Sequence, residues 1–158
     1  MIHLFSLFCR YSTTADLLTA TNDLLLAYSR GTTSTDDAMQ MIQDPTLYFP
    51  GGPGDRLEAV NVVLVITDGV PYPADREPRA LQLAQSAQDL GIMMFAVGIT
   101  DAIKTEVLQQ LSSQPRQKGV NYFESPGFDV LEEISHLVAQ QTCRGAEVTP
   151  PPGKCKNK

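Results

Sequence analysis

An aspartate follows the most apolar run of the chain. Residues 61–67 read Asn-Val-Val-Leu-Val-Ile-Thr, and Asp68-Gly69 come next, with Pro71 and Pro73 in the segment beyond. A β-branched run of this kind predicts a strand buried in a parallel sheet, and ligands of open parallel sheets bind beyond the carboxyl ends of the strands. Asp68 is placed at such an end, and Gly69 lets the backbone turn sharply beside it. Thr33, within the hydroxyl-rich run Thr32-Thr33-Ser34-Thr35, lies at the entrance to a predicted helix and could reach the same face. A hydroxyl and a carboxylate are hard oxygen donors suited to magnesium, manganese or calcium. On local sequence alone plainer roles are favoured: Thr33 as a helix cap, and Asp68 as a turn residue before Pro71.

The remaining reactive side chains suggest no chemistry of their own. His3 lies in an apolar run and His136 on an amphipathic helix, so both are read as structural or solvated. Three cysteines, Cys9, Cys143 and Cys155, form an odd set without the CxxC spacing of a zinc site. A Cys143–Cys155 disulfide would staple the tail, and Cys9 reads as a buried packing thiol. Three reduced thiols in a cytosolic protein is the alternative.

The elements that must position Thr33 and Asp68 alternate between the strand and helix periods, the sequence form of an α/β fold. Apolar residues at spacings of three and four predict helices over residues 15–28, 75–90 and 128–141, with shorter ones after Asp36-Asp37 and from Thr100-Asp101 through Leu111. Strands are predicted over residues 2–8, 61–67 and 92–99, with an edge-like strand over 120–123. The Pro/Gly stretch at residues 50–54 is a loop. The 158 residues suit one domain over residues 1–143, with a flexible Pro/Lys-rich tail over 144–158. A formal charge of −6 argues against a nucleic-acid footprint. No run approaches the ~18 apolar residues of a membrane span. The apolar start lacks a basic n-region and a small-residue cleavage site, so it reads as a strand rather than a secretory signal.

Three segments in order carry a family resemblance. Gly31-Thr32-Thr33-Ser34-Thr35-Asp36-Asp37-Ala38-Met39, Val63-Leu64-Val65-Ile66-Thr67-Asp68-Gly69 and Gly91-Ile92-Met93-Met94-Phe95-Ala96-Val97-Gly98-Ile99 resemble the A domains of collagens, matrilins and integrin α chains, the von Willebrand factor type A (VWA) family. Leu111-Ser112-Ser113, Tyr122-Phe123 and the final helix ending near Cys143 continue the pattern. The resemblance implies a doubly wound, mostly parallel sheet flanked by helices, with one antiparallel edge strand and a metal-ion-dependent adhesion site at the top of the sheet. Thr33 matches the threonine of the family's second metal loop. Asp68 matches the aspartate of its third, which often contacts the metal through water. The first loop, Asp-x-Ser-x-Ser, has no counterpart, since the only aspartates before Thr33 are Asp16 and Asp23, both on a predicted helix. By this alignment residues 2–8 correspond to the antiparallel edge strand, and the family's first two strands and first helix are lacking. Unpaired buried edges follow. At ~1–3 kcal/mol for each unsatisfied group, several could consume a domain's typical ~5–15 kcal/mol. The implied expectation is a fragment, or a chain whose edge pairs elsewhere, with Mg2+ (or Ca2+ or Mn2+) binding that is weak or absent.

The function this implies is an extracellular, secreted protein-binding module whose partner, a matrix or collagen-type protein, offers a carboxylate to the metal. In such family members the partner of a cysteine like Cys143 precedes the first strand. The alternative within the family is an intracellular scaffold domain, as in some repair, proteasomal and trafficking proteins. An α/β enzyme using Asp68 is the third class. It lacks its companions: no Asp-x-Asp after a strand, no P-loop Gly-Lys-Ser/Thr and no Gly-x-Ser-x-Gly elbow.

Overall fold

The β-branched run after Asn61 forms strand β1 (Val62–Thr67), which pairs in parallel with β2 (Met93–Ile99) in the register Val62↔Met93 through Thr67↔Gly98. Strand β2 pairs in parallel with β3 (Tyr122–Ser125), from Ala96↔Tyr122 to Ile99↔Ser125. Among the described residues the sheet order is β1-β2-β3. The computed structural model describes residues 15, 19, 34–52, 55, 60–69, 72–100, 103–127, 135–138, 140 and 141. Thr33, His3, the three cysteines, the predicted strand at 2–8 and the tail lie outside these residues.

Parallel strands need crossovers, and helices supply them. Helix α1 (Thr35–Ile42) precedes β1; a 3-10 turn (Ala74–Arg76) and α2 (Glu77–Asp89) join β1 to β2; and α3 (Thr105–Leu111) joins β2 to β3. Gly91, at φ 82°, ends the turn after α2, as the sequence predicts, while the Ile92 amide returns to the Ala87 carbonyl at 3.1 Å.

Strand side chains alternate between two cores, as the pleat requires. Val63, Val65, Met94, Ala96 and Tyr122 face Met39 and Ile42 of α1, Ala84 and Ala87 of α2, and Val107, Leu108 and Leu111 of α3. On the opposite face Phe95, Val97, Ile99 and Phe123 meet Val138, from a helical stretch at residues 135–138. Helices thus flank both faces of a parallel sheet. The expectation that β1 is buried on both faces is met on one: Val63, Val65 and Thr67 are buried, whereas Val62, Leu64 and Ile66 are half-buried.

Two boundaries differ from the sequence reading for physical reasons. The last strand begins at Tyr122, not Val120, because Gly119 takes φ 79° and the amides of Val120 and Asn121 both bond the Gln117 carbonyl in a turn. Helix α3 begins at Thr105, not at Thr100-Asp101, because Thr100 adopts φ 79° and is bonded to the strand ends.

Candidate functional site

Asp68 is placed where the sequence predicts, at the carboxyl end of β1, and it is exposed to solvent. Two threonines shape its loop. The buried Thr67 hydroxyl donates to the Gly69 carbonyl at 3.0 Å, and the Thr100 hydroxyl donates to the Asp68 carbonyl at 3.1 Å. The Thr100 amide donates to the Ser125 carbonyl at 2.8 Å. Thr100 follows β2 directly, so one residue links the carboxyl ends of all three described strands. Below this rim the enclosed space lined by Thr35, Thr67, Gly69 and Ile103 is only about 10 Å3, room for a water at most.

Helix α1, which follows the Thr33 segment, is fastened to the segment that follows Asp68. Asp36, fully buried at the start of α1, lies 2.8 Å from an Arg76 guanidinium nitrogen and 3.3 Å from one of Arg79. Neither Asp36 oxygen receives an aligned hydrogen bond from the described residues, so the contact is one of charge. The same Arg76 nitrogen donates to Asp37 at 2.8 Å, and Arg79 donates to the Gln40 amide oxygen at 2.8 Å. Both arginines keep contact with water, which limits what the cluster adds to stability. Its geometric effect is to hold the 3-10 turn and the start of α2 against α1. The acidic pair Asp36-Asp37 reads in sequence as a helix start; Ser34, at the cap position, makes no side-chain cap bond, and Asp36 serves the arginines instead.

A second charge cluster ties α3 to β3 at the same edge. Glu124 accepts a hydrogen bond from Lys118 and another from the Thr105 hydroxyl at 2.6 Å. The Lys118 bond, then the Thr105 bond, hold the Glu124 carboxyl below its ordinary 4.5, against a smaller opposing effect of burial. A depressed carboxyl pKa stabilises the fold above the ordinary value, and that contribution is lost as pH falls through the lowered one. An NMR titration is expected to show Glu124 ionising below pH 4.5, and Lys118→Met is expected to move it upward. An unchanged midpoint in the variant would mean the pair is not formed in solution.

Thr33 lies outside the described residues, so the predicted convergence of Thr33 with Asp68 is not described. Asp68 has the right donor chemistry for a hard cation. Among the described residues, however, no group of three His, Cys, Asp or Glu side chains is placed to hold a metal. The described donors fit at most a water-rich coordination, not a cation held by the protein alone. His136 is exposed, in keeping with a solvated role. Sequence reasoning missed Thr100 and the Asp36–Arg76–Arg79 cluster. Nothing in a lone threonine signals a left-handed backbone, and the ionic partners are far apart in the chain.

Comparison with known proteins fits this geometry. The chain is 29% identical to mouse matrilin-1 over 134 residues, covering 85% of the chain and 24% of matrilin-1. It is 30% identical to bovine cochlin over 137 residues, 87% of the chain and 22% of cochlin. The chain thus spans about a quarter of the length of these relatives. Among solved structures, proximal thread matrix protein 1 from the mussel byssus, with a zinc-occupied MIDAS motif, shares the fold at a TM-score of 0.65 and 21% identity, covering 85% of this chain and 30% of that one. Manganese-loaded TRAP protein of Plasmodium vivax matches at a TM-score of 0.50 and 19% identity, over 82% of this chain and 51% of its own. Divalent metal is thus bound by two proteins of this fold. The profile of the von Willebrand factor type A domain matches residues 3–137, and with most of its length accounted for in this way the chain belongs to that family.

Proposed function

We propose that this chain is an extracellular protein-binding module of matrix type, not an enzyme, and that it binds through the face built on Asp68 and Thr33. The observation that carries the reading is the exposed Asp68 carboxylate at the carboxyl end of β1, on a rim braced by Thr67 and Thr100. A collagen α-4(VI) chain among the relatives and a thread matrix protein among the fold neighbours support a matrix or collagen-type partner. A partner carboxylate would complete the coordination of a Mg2+, Ca2+ or Mn2+ ion. With no Asp-x-Ser-x-Ser loop in these 158 residues, that ion is held weakly. Against an enzyme stands the absence from the sequence of the nucleophile and phosphate motifs.

The test is binding of the chain to immobilised collagen in Mn2+ and in EDTA, beside Asp68→Ala. The expected result is binding that falls about tenfold or more in EDTA and in the variant, a loss of ~1.4 kcal/mol or more. Equal binding by all three samples would overturn the reading. Calorimetry with Mg2+ alone is expected to show no micromolar site, and one at that affinity would refute the proposed weakness.

A further inference from the structure

Thr100 is a β-branched residue at φ 79°, a conformation that crowds its Cβ against the backbone and that such residues rarely adopt. Backbone strain of this kind persists only where the surroundings over-determine it, and it concentrates at functional positions. Here two described hydrogen bonds tie the residue to both neighbouring strand ends. The Thr100 hydroxyl reaches the Asp68 carbonyl at the end of β1, and its amide reaches the Ser125 carbonyl at the end of β3. A glycine would adopt the same φ without strain but could not supply the hydroxyl. We infer that Thr100 is a positioning residue of the binding face: its strained backbone aims the hydroxyl at the Asp68 carbonyl and so fixes the loop that presents the Asp68 carboxylate.

Other described contacts act on different parts of the loop. The Thr67 hydroxyl acts from within β1 itself, on Gly69, and the arginine cluster acts further along, at Arg76. Thr100 bridges to the Asp68 backbone from the end of the neighbouring strand. The inference rests on the reading of this face as the binding surface, but its test needs no ligand.

The test compares Thr100→Gly, Thr100→Val and Thr100→Ser in the full chain by thermal unfolding and by amide hydrogen exchange. Thr100→Val keeps the branched strain and loses the hydroxyl; Thr100→Gly loses both; Thr100→Ser keeps the hydroxyl. The glycine variant is expected to melt at or above wild type and ~3–6 °C above the valine variant, because relief of strain offsets the lost hydrogen bond. In spite of that stability, exchange at the Asp68 and Gly69 amides is expected to quicken about fivefold in both the glycine and valine variants, the equivalent of one lost hydrogen bond, and to stay at the wild-type rate in serine. A merely structural threonine would show exchange and melting temperature moving together. Unchanged loop exchange in Thr100→Gly, or slowed exchange that follows a raised melting temperature, would overturn the inference. Loss of collagen binding in Asp68→Ala tests the binding face separately, so a failure there leaves the exchange result to decide the role of Thr100.

Discussion

Phe95→Ala is expected to lower the unfolding free energy by about 3–5 kcal/mol and the melting temperature by ~10 °C or more. Phe95 is 1% exposed and heads the fully buried side chains by volume. It sits in the middle of β2, paired with Leu64 of β1, on the sheet face that it shares with Val97, Ile99 and Phe123 and against which Val138 packs. Truncation removes an aromatic ring from that core and leaves a cavity that neighbouring strands can close only in part, because β2 is bonded on both sides. The half-buried Val62, Leu64, Ile66 and Met93 pack against the same cluster. The loss is thus expected to loosen β1 as well, and with it the strand end that carries Asp68. Chemical denaturation followed by circular dichroism measures the effect. Phe95→Leu, which keeps most of the volume, is expected to cost less than half as much. A melting temperature within about 3 °C of wild type for Phe95→Ala would mean that this face of the sheet is not closed in solution.

Strands β1 and β2 were legible because each is a largely apolar run bounded at one end by a feature of local chemistry. Asp68-Gly69 ends one, and Gly91 marks the start of the other. Helix α2 was legible from its helical period, Ala80, Leu83, Ala84, Ala87 and Leu90: the three alanines are buried and Leu83 is half-buried, but Leu90, past the helix end, is exposed. Asp68 could be placed from sequence, since its position depends only on where β1 stops. What escaped were features set by tertiary contact. Thr100-Asp101 has the composition of a helix start, yet the competing hydrogen bonds to Asp68 and Ser125 hold Thr100 out of the helical region and delay α3 to Thr105. Asp36 likewise reads as a first-turn acid that favours the helix dipole. Its burial depends on Arg76 and Arg79 arriving from the far side of β1, which no local pattern encodes.

On the sheet face opposite Phe95, Gly98 packs against α3 near the strand ends, and Gly98→Val is expected to cost about 3 kcal/mol, with a fall of ~6–12 °C in melting temperature. A Cβ at this position would stand 2.6 Å from Ile103 Cγ2 and 2.7 Å from Leu108 Cδ1. Leu108 is fully buried and Ile103 nearly so, which leaves neither side chain open space to move into. The absence of a side chain is what lets α3 lie close against β2. Gly98 is paired with Thr67 of β1 and with Glu124 of β3, two residues before Thr100. Displacing α3 would therefore disturb the strand ends that carry the proposed binding face, so any collagen binding measured for the wild type should fall together with stability. A double-mutant comparison separates crowding from any other cause. Leu108→Ala alone leaves a cavity and is expected to cost about 2–5 kcal/mol. Combined with Gly98→Val, it opens space for the new methyl groups, so the pair should cost at least ~1 kcal/mol less than the sum of the single changes. Strictly additive costs would show that the valine acts elsewhere, and that the close approach of α3 to β2 is not what requires glycine at this position.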